Sequence, residues 1–316
     1  MRRKKNSSLR VDDFHQRFSE QLELSQAGAP VGGDRLITEA TINRPGLALA
    51  GYLKHFAANR IQVFGTAECS FFEEMGIDHA ILRLQAVTMF EELPCLIVSR
   101  GVEIPEEILE TVNAKNVAVF VTTLRTTEFI NRATILLERE FAERTSLHGC
   151  MVDIRGIGVL IRGKSGTGKS EAVIGILERG GGLIADDLVH VENVSGRLIC
   201  SAPELAQGFI EMRGIGIVNI ANLYGLGAIE QEKELDLIIT LRPAASLNEV
   251  DRLGLERKEL SVLGHGVPHV ELPVAPGRDI ARLIEVAAMD QRLKTLGHDM
   301  AEDFNQKLLK RMRDNA

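Results

Sequence analysis

Gly163, Lys164, Ser165, Gly166, Thr167, Gly168, Lys169 and Ser170 fit GxxxxGK[ST] at every fixed position, the pattern of a loop that cradles phosphates. The chemistry asks for these residue types. Glycines let the backbone turn sharply and come close to a ligand. Loop amides and the N-terminus of the following helix then point at one anion. Lys169 is expected against the β- and γ-phosphates of a nucleotide, and the Ser170 hydroxyl on Mg²⁺. Lys164 adds a second charge to the loop, where such a residue is usually just solvated.

Other residues stand where they could join this chemistry. Asp186 and Asp187 follow the apolar run Leu183-Ile184-Ala185, so a carboxylate pair is expected at the carboxyl end of a strand, where α/β sheets bind ligands. Two readings stay open. The pair is a Walker-B-like Mg²⁺ site in which one Asp reaches the metal through water, or one Asp faces the metal while the other accepts a proton from an attacking hydroxyl. Glu211 and Arg213 head a glycine-containing stretch that ends at Asn219. Glu offers Mg²⁺ a hard oxygen and Arg offers phosphate a fork, although a strand-turn with a surface ion pair fits the same residues. His148 beside Gly149 reads from spacing alone as a structural or surface histidine. Arg252 and Arg278, near turns, are further phosphate-clamp candidates. Pro273, Pro276 and Gly277 mark a rigid loop able to hold a functional group.

Elements must position these groups. Ile157 to Ile161 is a short apolar run and predicts a buried strand before the loop. Val173, Ile176 and Leu177 predict one face of a helix from Lys169 to Arg179, stopped by Gly180 to Gly182. Ser146 to Ile154, joined to Ile157 by Arg155-Gly156, predicts an antiparallel partner for that strand, which is unusual beside a phosphate loop. Val189 to Cys200 alternates around Ser195-Gly196 and predicts a hairpin. Leu235 to Leu241 predicts a buried strand, and Asp279 to Leu296 and His298 to Arg313 predict terminal helices. Upstream, strands are expected at Ile61 to Phe64, Cys95 to Val98 and Val117 to Val121. Helices are expected at Pro105 to Ala114 and Arg125 to Ala142. That alternation predicts an α/β domain. The expected boundaries are a polar tail and linker over 1–33 with one helical turn, an N-terminal α/β domain over 34–143, and a P-loop domain with C-terminal helices over 144–316.

With 316 residues, two domains are the prior. A net charge of −7 argues against a nucleic-acid partner for the whole chain. Arg2 to Lys5 is a local basic exception, and no apolar run follows it as in a secretory signal. No apolar run is long enough to span a bilayer. Cys69, Cys95, Cys150 and Cys200 are scattered without a CxxC pair, against a zinc site or a disulfide framework and in keeping with a reducing cytoplasm.

Taken together, His148-Gly149, the Gly163–Ser170 loop, Ile184 to Asp187, Glu211 to Asn219, Asp251-Arg252-Leu253-Gly254 and Pro273 to Arg278 resemble, in order and spacing, the bacterial HPr kinase/phosphorylase family from about Ile37 to Met289. The resemblance implies phosphorylation of a seryl hydroxyl of HPr by ATP, or by pyrophosphate. It also implies reversal, in which phosphate attacks phosphoseryl-HPr and pyrophosphate leaves. It implies that Gly163 to Ser170 binds the nucleotide and that Lys169 stabilises the transferred group. Ser170 and Glu211 would hold Mg²⁺, and Asp187 would be base forward and acid in reverse. His148 and Arg252 would assist the phosphates, and the 273–278 loop would serve dephosphorylation. It further implies a small N-terminal α/β domain and a kinase domain like the phosphoenolpyruvate carboxykinase core, in a cytoplasmic homohexamer. Lys164, where relatives often carry an acid, and Thr167, where they carry an aliphatic residue, depart from that pattern. A P-loop small-molecule kinase and a nucleotide-sensing regulator that binds without transfer are the competing readings.

Overall fold

The computed structural model describes residues 6–243, 258–275 and 277–314. The chain forms two compact units, Lys5–Ala142 and Glu143–Ala316. Among the described residues no helix is long and apolar enough to cross a membrane.

The first unit begins with β1 (Leu9–Arg10), α1 (Val11–Leu22), β2 (Leu24–Ala27), β3 (Leu36–Ile37) and the short α2 (Gly46–Leu49). Then come β4 (Gln62–Phe64), α3 (Thr66–Met75), α4 (Ile77–Thr88), β5 (Cys95–Val98), α5 (Glu106–Asn113), β6 (Ala118–Thr122) and α6 (Thr126–Glu140). The strands β4, β5 and β6 pair in parallel, and β2 adds an antiparallel edge to β6. Parallel strands are covered on both faces and so read as continuous apolar runs. Here Cys95, Ile97, Ala118 and Phe120 join the core with α1 and α6. Their neighbours Leu96, Val98 and Val119 join the core with α4 and α5 on the other face.

The reading of residues 1–33 as a polar tail is corrected by α1, a 12-residue helix. Most of its side chains are charged or polar, which hid it. Val11, Phe14, Phe18 and Leu22 nevertheless make one narrow apolar stripe at helical spacing. Val11, Phe14 and Leu22 are fully buried. Glu23, in the left-handed conformation at φ 50°, ends the helix and lets β2 join the sheet. Helices α3 and α4, broken at Gly76, were not foreseen from the sequence.

The second unit contains β7 (Glu143–His148), β8 (Cys150–Ile154), β9 (Ile157–Gly163), α7 (Lys169–Leu177), β10 (Gly182–Ala185), β11 (Leu188–Val194) and β12 (Arg197–Ser201). It continues with β13 (Phe209–Met212), β14 (Gly216–Asn219), α8 (Ile220–Tyr224), β15 (Glu232–Glu234), β16 (Leu237–Pro243), β17 (Lys258–Val262), β18 (His265–Val274), α9 (Ile280–Thr295) and α10 (Met300–Asp314). A mixed six-stranded sheet has the order β10-β8-β9-β16-β18-β17, and a four-stranded sheet has the order β15-β12-β11-β7. The expected antiparallel hairpin is present. Strand β8 pairs with β9 with Val152 opposite Val159, through Arg155 and Gly156 at φ 53° and 93°. On its other edge β9 runs parallel to β16, with Gly163 opposite Leu241.

Alternation along β9 sets the layers. Val159 and Ile161 pack with Val173, Ile176 and Ile284 under α7 and α9. Leu160 packs with Leu147, Val189 and Val191 of the second sheet. The expected single strand from Ser146 to Ile154 is instead two strands in different sheets, broken at Gly149. A Cβ there would come within 2.5 Å of the Ile161 carbonyl, at a φ of +152°. Only glycine fits such a close crossing in that backbone region. Pro273 and Val274, expected in a loop, pair in parallel with Arg242 and Pro243 as the end of β18.

Candidate active site

The phosphate loop leaves β9 at Gly163 and enters α7 at Lys169. Gly166 and Gly168 take φ values of 84° and 85°, the left-handed region open to glycine. Inside the turn the buried Thr167 hydroxyl donates to the Lys164 carbonyl (2.8 Å), and the Thr167 amide reaches the same oxygen (3.2 Å). Thr167 therefore braces the loop from within, while the Lys164 side chain stays exposed. The Lys169 ammonium folds back to donate to the Gly163 carbonyl (3.1 Å).

Facing the loop across a cavity of about 160 Å³ stand Asp186, Asp187, Glu211 and Arg213. The loop contributes Ser165, Gly166, Gly168, Lys169 and Ser170 to the same cavity. The tertiary structure separates the two aspartates. Asp186 has both oxygens engaged. Oδ1 accepts from the Cys150 thiol at 2.8 Å, and Oδ2 accepts from the Glu211 amide at 3.0 Å. Burial, then the Asp186 carboxylate, pushes the Cys150 thiol far up, so at neutral pH it keeps the proton that it donates. Asp186 thus ties β8 to the β13–β14 hairpin and sets the height of Glu211.

Asp187 sits differently. Leu188 N–H donates across it to the Asp186 carbonyl (2.8 Å), and its φ is 61°. This is a three-residue γ-turn in its rare, strained form. Its own carbonyl accepts from the Gly149 amide (3.0 Å), so the turn is locked to the crossing between the sheets. Residues held in such conformations cluster at functional sites. Asp187 has no side-chain hydrogen bond among those described and lines the cavity with its carboxylate uncommitted.

The hairpin β13–β14 pairs Glu211 with Ile217. It brings Arg213 to the loop, where its guanidinium donates to the Ser165 hydroxyl. His148 lies opposite Leu188 in the β7–β11 register, one position from Asp187, and is exposed. It does not line the cavity. Arg252 and Pro276 lie outside the described residues. Gly277 and Arg278 follow β18 in a turn in which the Arg278 amide donates to the Ala275 carbonyl (3.2 Å). Sequence reasoning missed Cys150 as a partner of Asp186, and Glu171, which lines the cavity from the first turn of α7. Neither residue belongs to a phosphate-loop pattern, so only three-dimensional proximity reveals them.

The hard-oxygen donors Ser170 and Glu211 share this cavity. Mg²⁺ takes few protein ligands and completes its shell with water and phosphate oxygens, and this donor set fits that demand.

Two family models match the chain. The HPr Serine kinase N terminus covers residues 9–137, and the HPr Serine kinase C-terminal domain covers residues 139–308. The chain is 39% identical over 97% of its length to the HPr kinase/phosphorylase of a Geobacillus species, covering 97% of that protein. It is 39% identical over 94% of its length to that of Bacillus pumilus, covering 96% of it. A solved structure, of the Hpr(Ser) kinase/phosphatase from Coxiella burnetii, is 34% identical, with 51% of this chain and 98% of that one covered and a TM-score of 0.47. With both halves matched and whole-length relatives at this identity, the chain belongs to the HPr kinase/phosphorylase family.

Proposed function

We propose that the P-loop unit moves a phosphoryl group between a nucleotide and a seryl hydroxyl of HPr in both directions, with Asp187 as the proton-transfer group. As a member of its family the chain is a bifunctional serine kinase/phosphorylase of carbon-metabolism control. The residue roles rest on one observation: the uncommitted Asp187 carboxylate faces Lys169 and Ser170 across a single cavity. In the forward direction Asp187 accepts the seryl proton as the seryl oxygen bonds to the γ-phosphorus. The bond from that phosphorus to the β-phosphate oxygen breaks. In reverse an oxygen of inorganic phosphate bonds to the phosphorus of phosphoserine, and the seryl P–O bond breaks. Asp187 returns the proton to the seryl oxygen, and pyrophosphate leaves. The same proton path serves both directions.

Lys169 steadies the charge on the transferred group, and the loop amides hold the adjoining phosphates. Ser170 and Glu211 would hold Mg²⁺, which when bound offsets phosphate charge. ATP is the donor in this reading, with pyrophosphate as an alternative. His148, next to the Asp187 turn, and Arg252 assist the phosphates, and the loop that ends at Arg278 serves dephosphorylation. A protein substrate fits the rim. Ile215 and Ile217, on the hairpin that carries Glu211, are 72% and 78% exposed, an apolar surface that a small substrate would not need. The family resemblance supports a cytoplasmic homohexamer.

The test incubates the purified chain with HPr, Mg²⁺ and γ-labelled ATP, then adds phosphate. Label on a seryl group, removed with stoichiometric pyrophosphate release, is the expected result. ATP binding without any label on HPr would sink the reading.

A further inference from the structure

The unit Lys5–Ala142 holds a second cavity, of about 230 Å³, which phosphoryl transfer leaves unused. It opens between the helical face of the parallel sheet and the segment from Val102 to Pro105. Its floor is buried: Leu96, Val98 and Val119 are 1%, 4% and 2% exposed. Ala80 of α4 and Val112 of α5 close the sides at 0% and 1%. Toward the mouth Ile77 is 41% exposed.

Protein interiors seldom keep voids larger than a water molecule. An apolar void gives water no hydrogen-bond partners and takes up hydrocarbon instead, benzene in a cavity of about 150 Å³. This cavity is larger, and fits a medium-length alkyl chain or a fused-ring aromatic. The charge at its mouth narrows the class of ligand. Among the described residues the only charged ones in the lining are Glu73 and Glu103, both exposed, and none is a lysine, arginine or histidine. The thiol of Cys69, also in the lining, is raised by burial and then by the carboxylates of Glu68 and Glu73, as a negative local potential requires. An anionic head group would meet like charge there, with no compensating cation among the described residues.

We propose that this cavity binds a small cationic amphiphile, its apolar body between α3, α4, α5 and the sheet and its amine head at Glu73 and Glu103. The N-terminal unit is then a ligand-binding module, and the proposal does not depend on the roles assigned in the P-loop unit.

The test uses the full chain and the neutral fluorophore 1-aminoanthracene, displaced by decyltrimethylammonium or by decanoate. The expected result is saturable binding at one site per chain. The cation should displace the probe at a concentration about fivefold lower than decanoate at low ionic strength, a gap that narrows as salt screens the mouth. Glu73→Gln with Glu103→Gln changes only exposed side chains and should close the gap while the neutral probe still binds. Ala80→Phe fills the cavity and should abolish probe binding, with folding of the variant checked by urea unfolding. If that variant does not fold, the glutamine pair carries the test. Absence of saturable binding, displacement by decanoate at equal or lower concentration, or an unchanged preference in the glutamine pair would overturn the proposal. So would probe binding by a folded Ala80→Phe chain.

Discussion

The two units each hold a cavity of similar size, about 230 Å³ in Lys5–Ala142 and about 160 Å³ in Glu143–Ala316, with opposite chemistry. The first lies beside a sheet, under helices, where apolar side chains of a parallel strand point in succession. The second lies past the ends of strands, where β9 gives way to a glycine loop and β10 to an aspartate pair. A sheet face delivers side chains of one kind, set by alternation. A strand end delivers backbone amides and mixed polar groups, because the pairing stops and the chain must turn. Positive-φ backbone occurs in both units, at Glu23, Arg100 and Asn116 in the first and at Arg155 and Asp187 in the second. Asp187 at φ 61° and Gly149 at φ +152° meet at the P-loop site, whereas Gly76 of the first unit has a positive φ with nothing near a would-be Cβ.

The largest effect that would sharpen this contrast is chemical. Asp187→Asn is expected to lower kcat for HPr phosphorylation by about 10²–10⁴-fold, the worth of a general base. ATP binding by calorimetry and 1-aminoanthracene binding in the first unit should stay as in the wild type. A loss confined to ATP affinity would remove Asp187 from the role of base.

Next in size is a pair of backbone substitutions. Gly149→Ala places a methyl group 2.5 Å from the Ile161 carbonyl in a strained backbone region, and is expected to cost about 3 kcal/mol or more. Gly76→Ala, at φ 81° and ψ 156° with no atom within 4 Å, meets backbone strain without a clash and is expected to cost less, about 1–3 kcal/mol. Urea unfolding of both variants measures the difference, and equal costs would mean that the close approach of the Ile161 carbonyl to Gly149 adds nothing to the backbone strain.

Smaller still is the effect of Cys150. Cys150→Val removes the proton given to Asp186 and should raise the KM for MgATP several-fold, about 1 kcal/mol for one hydrogen bond. Cys150→Ser keeps a donor and should recover most of the loss. Equal KM values in the two variants would mean that the thiol only fills space.

The smallest effect concerns Asp236, whose carboxylate accepts from the Gly158 amide of the P-loop strand (2.7 Å). Burial, the largest influence, raises its pKa above the ordinary 3.8. The folded state therefore holds this proton more tightly than the unfolded chain. The stability from that preference is present below the unfolded pKa and is lost as pH rises through the raised folded value. Asp236→Asn, neutral at every pH, should match the wild type in strong acid and gain in relative Tm as pH rises through that window. A Tm difference that does not change with pH would contradict this.

Much of this architecture follows from local pattern. The phosphate loop, the helix behind it, the Arg155-Gly156 hairpin and the parallel strands from Gln62 to Thr122 are all written as spacing and turn chemistry, which act over a few residues. By itself the sequence determined a loop able to hold phosphates, the strand and helix that flank it, and the family of the chain. Helix α1 was hidden because a stripe of four apolar residues in a charged segment becomes a helix only when a core accepts it. The break at Gly149 was likewise decided by a carbonyl on another strand. Which aspartate is tied and which, among the described residues, is left free depends on Cys150 and the Glu211 amide, 36 and 25 residues from Asp186. Only the tertiary structure decided these points, because hydrogen bonds between distant segments and the close approach of backbones leave no periodicity in the chain.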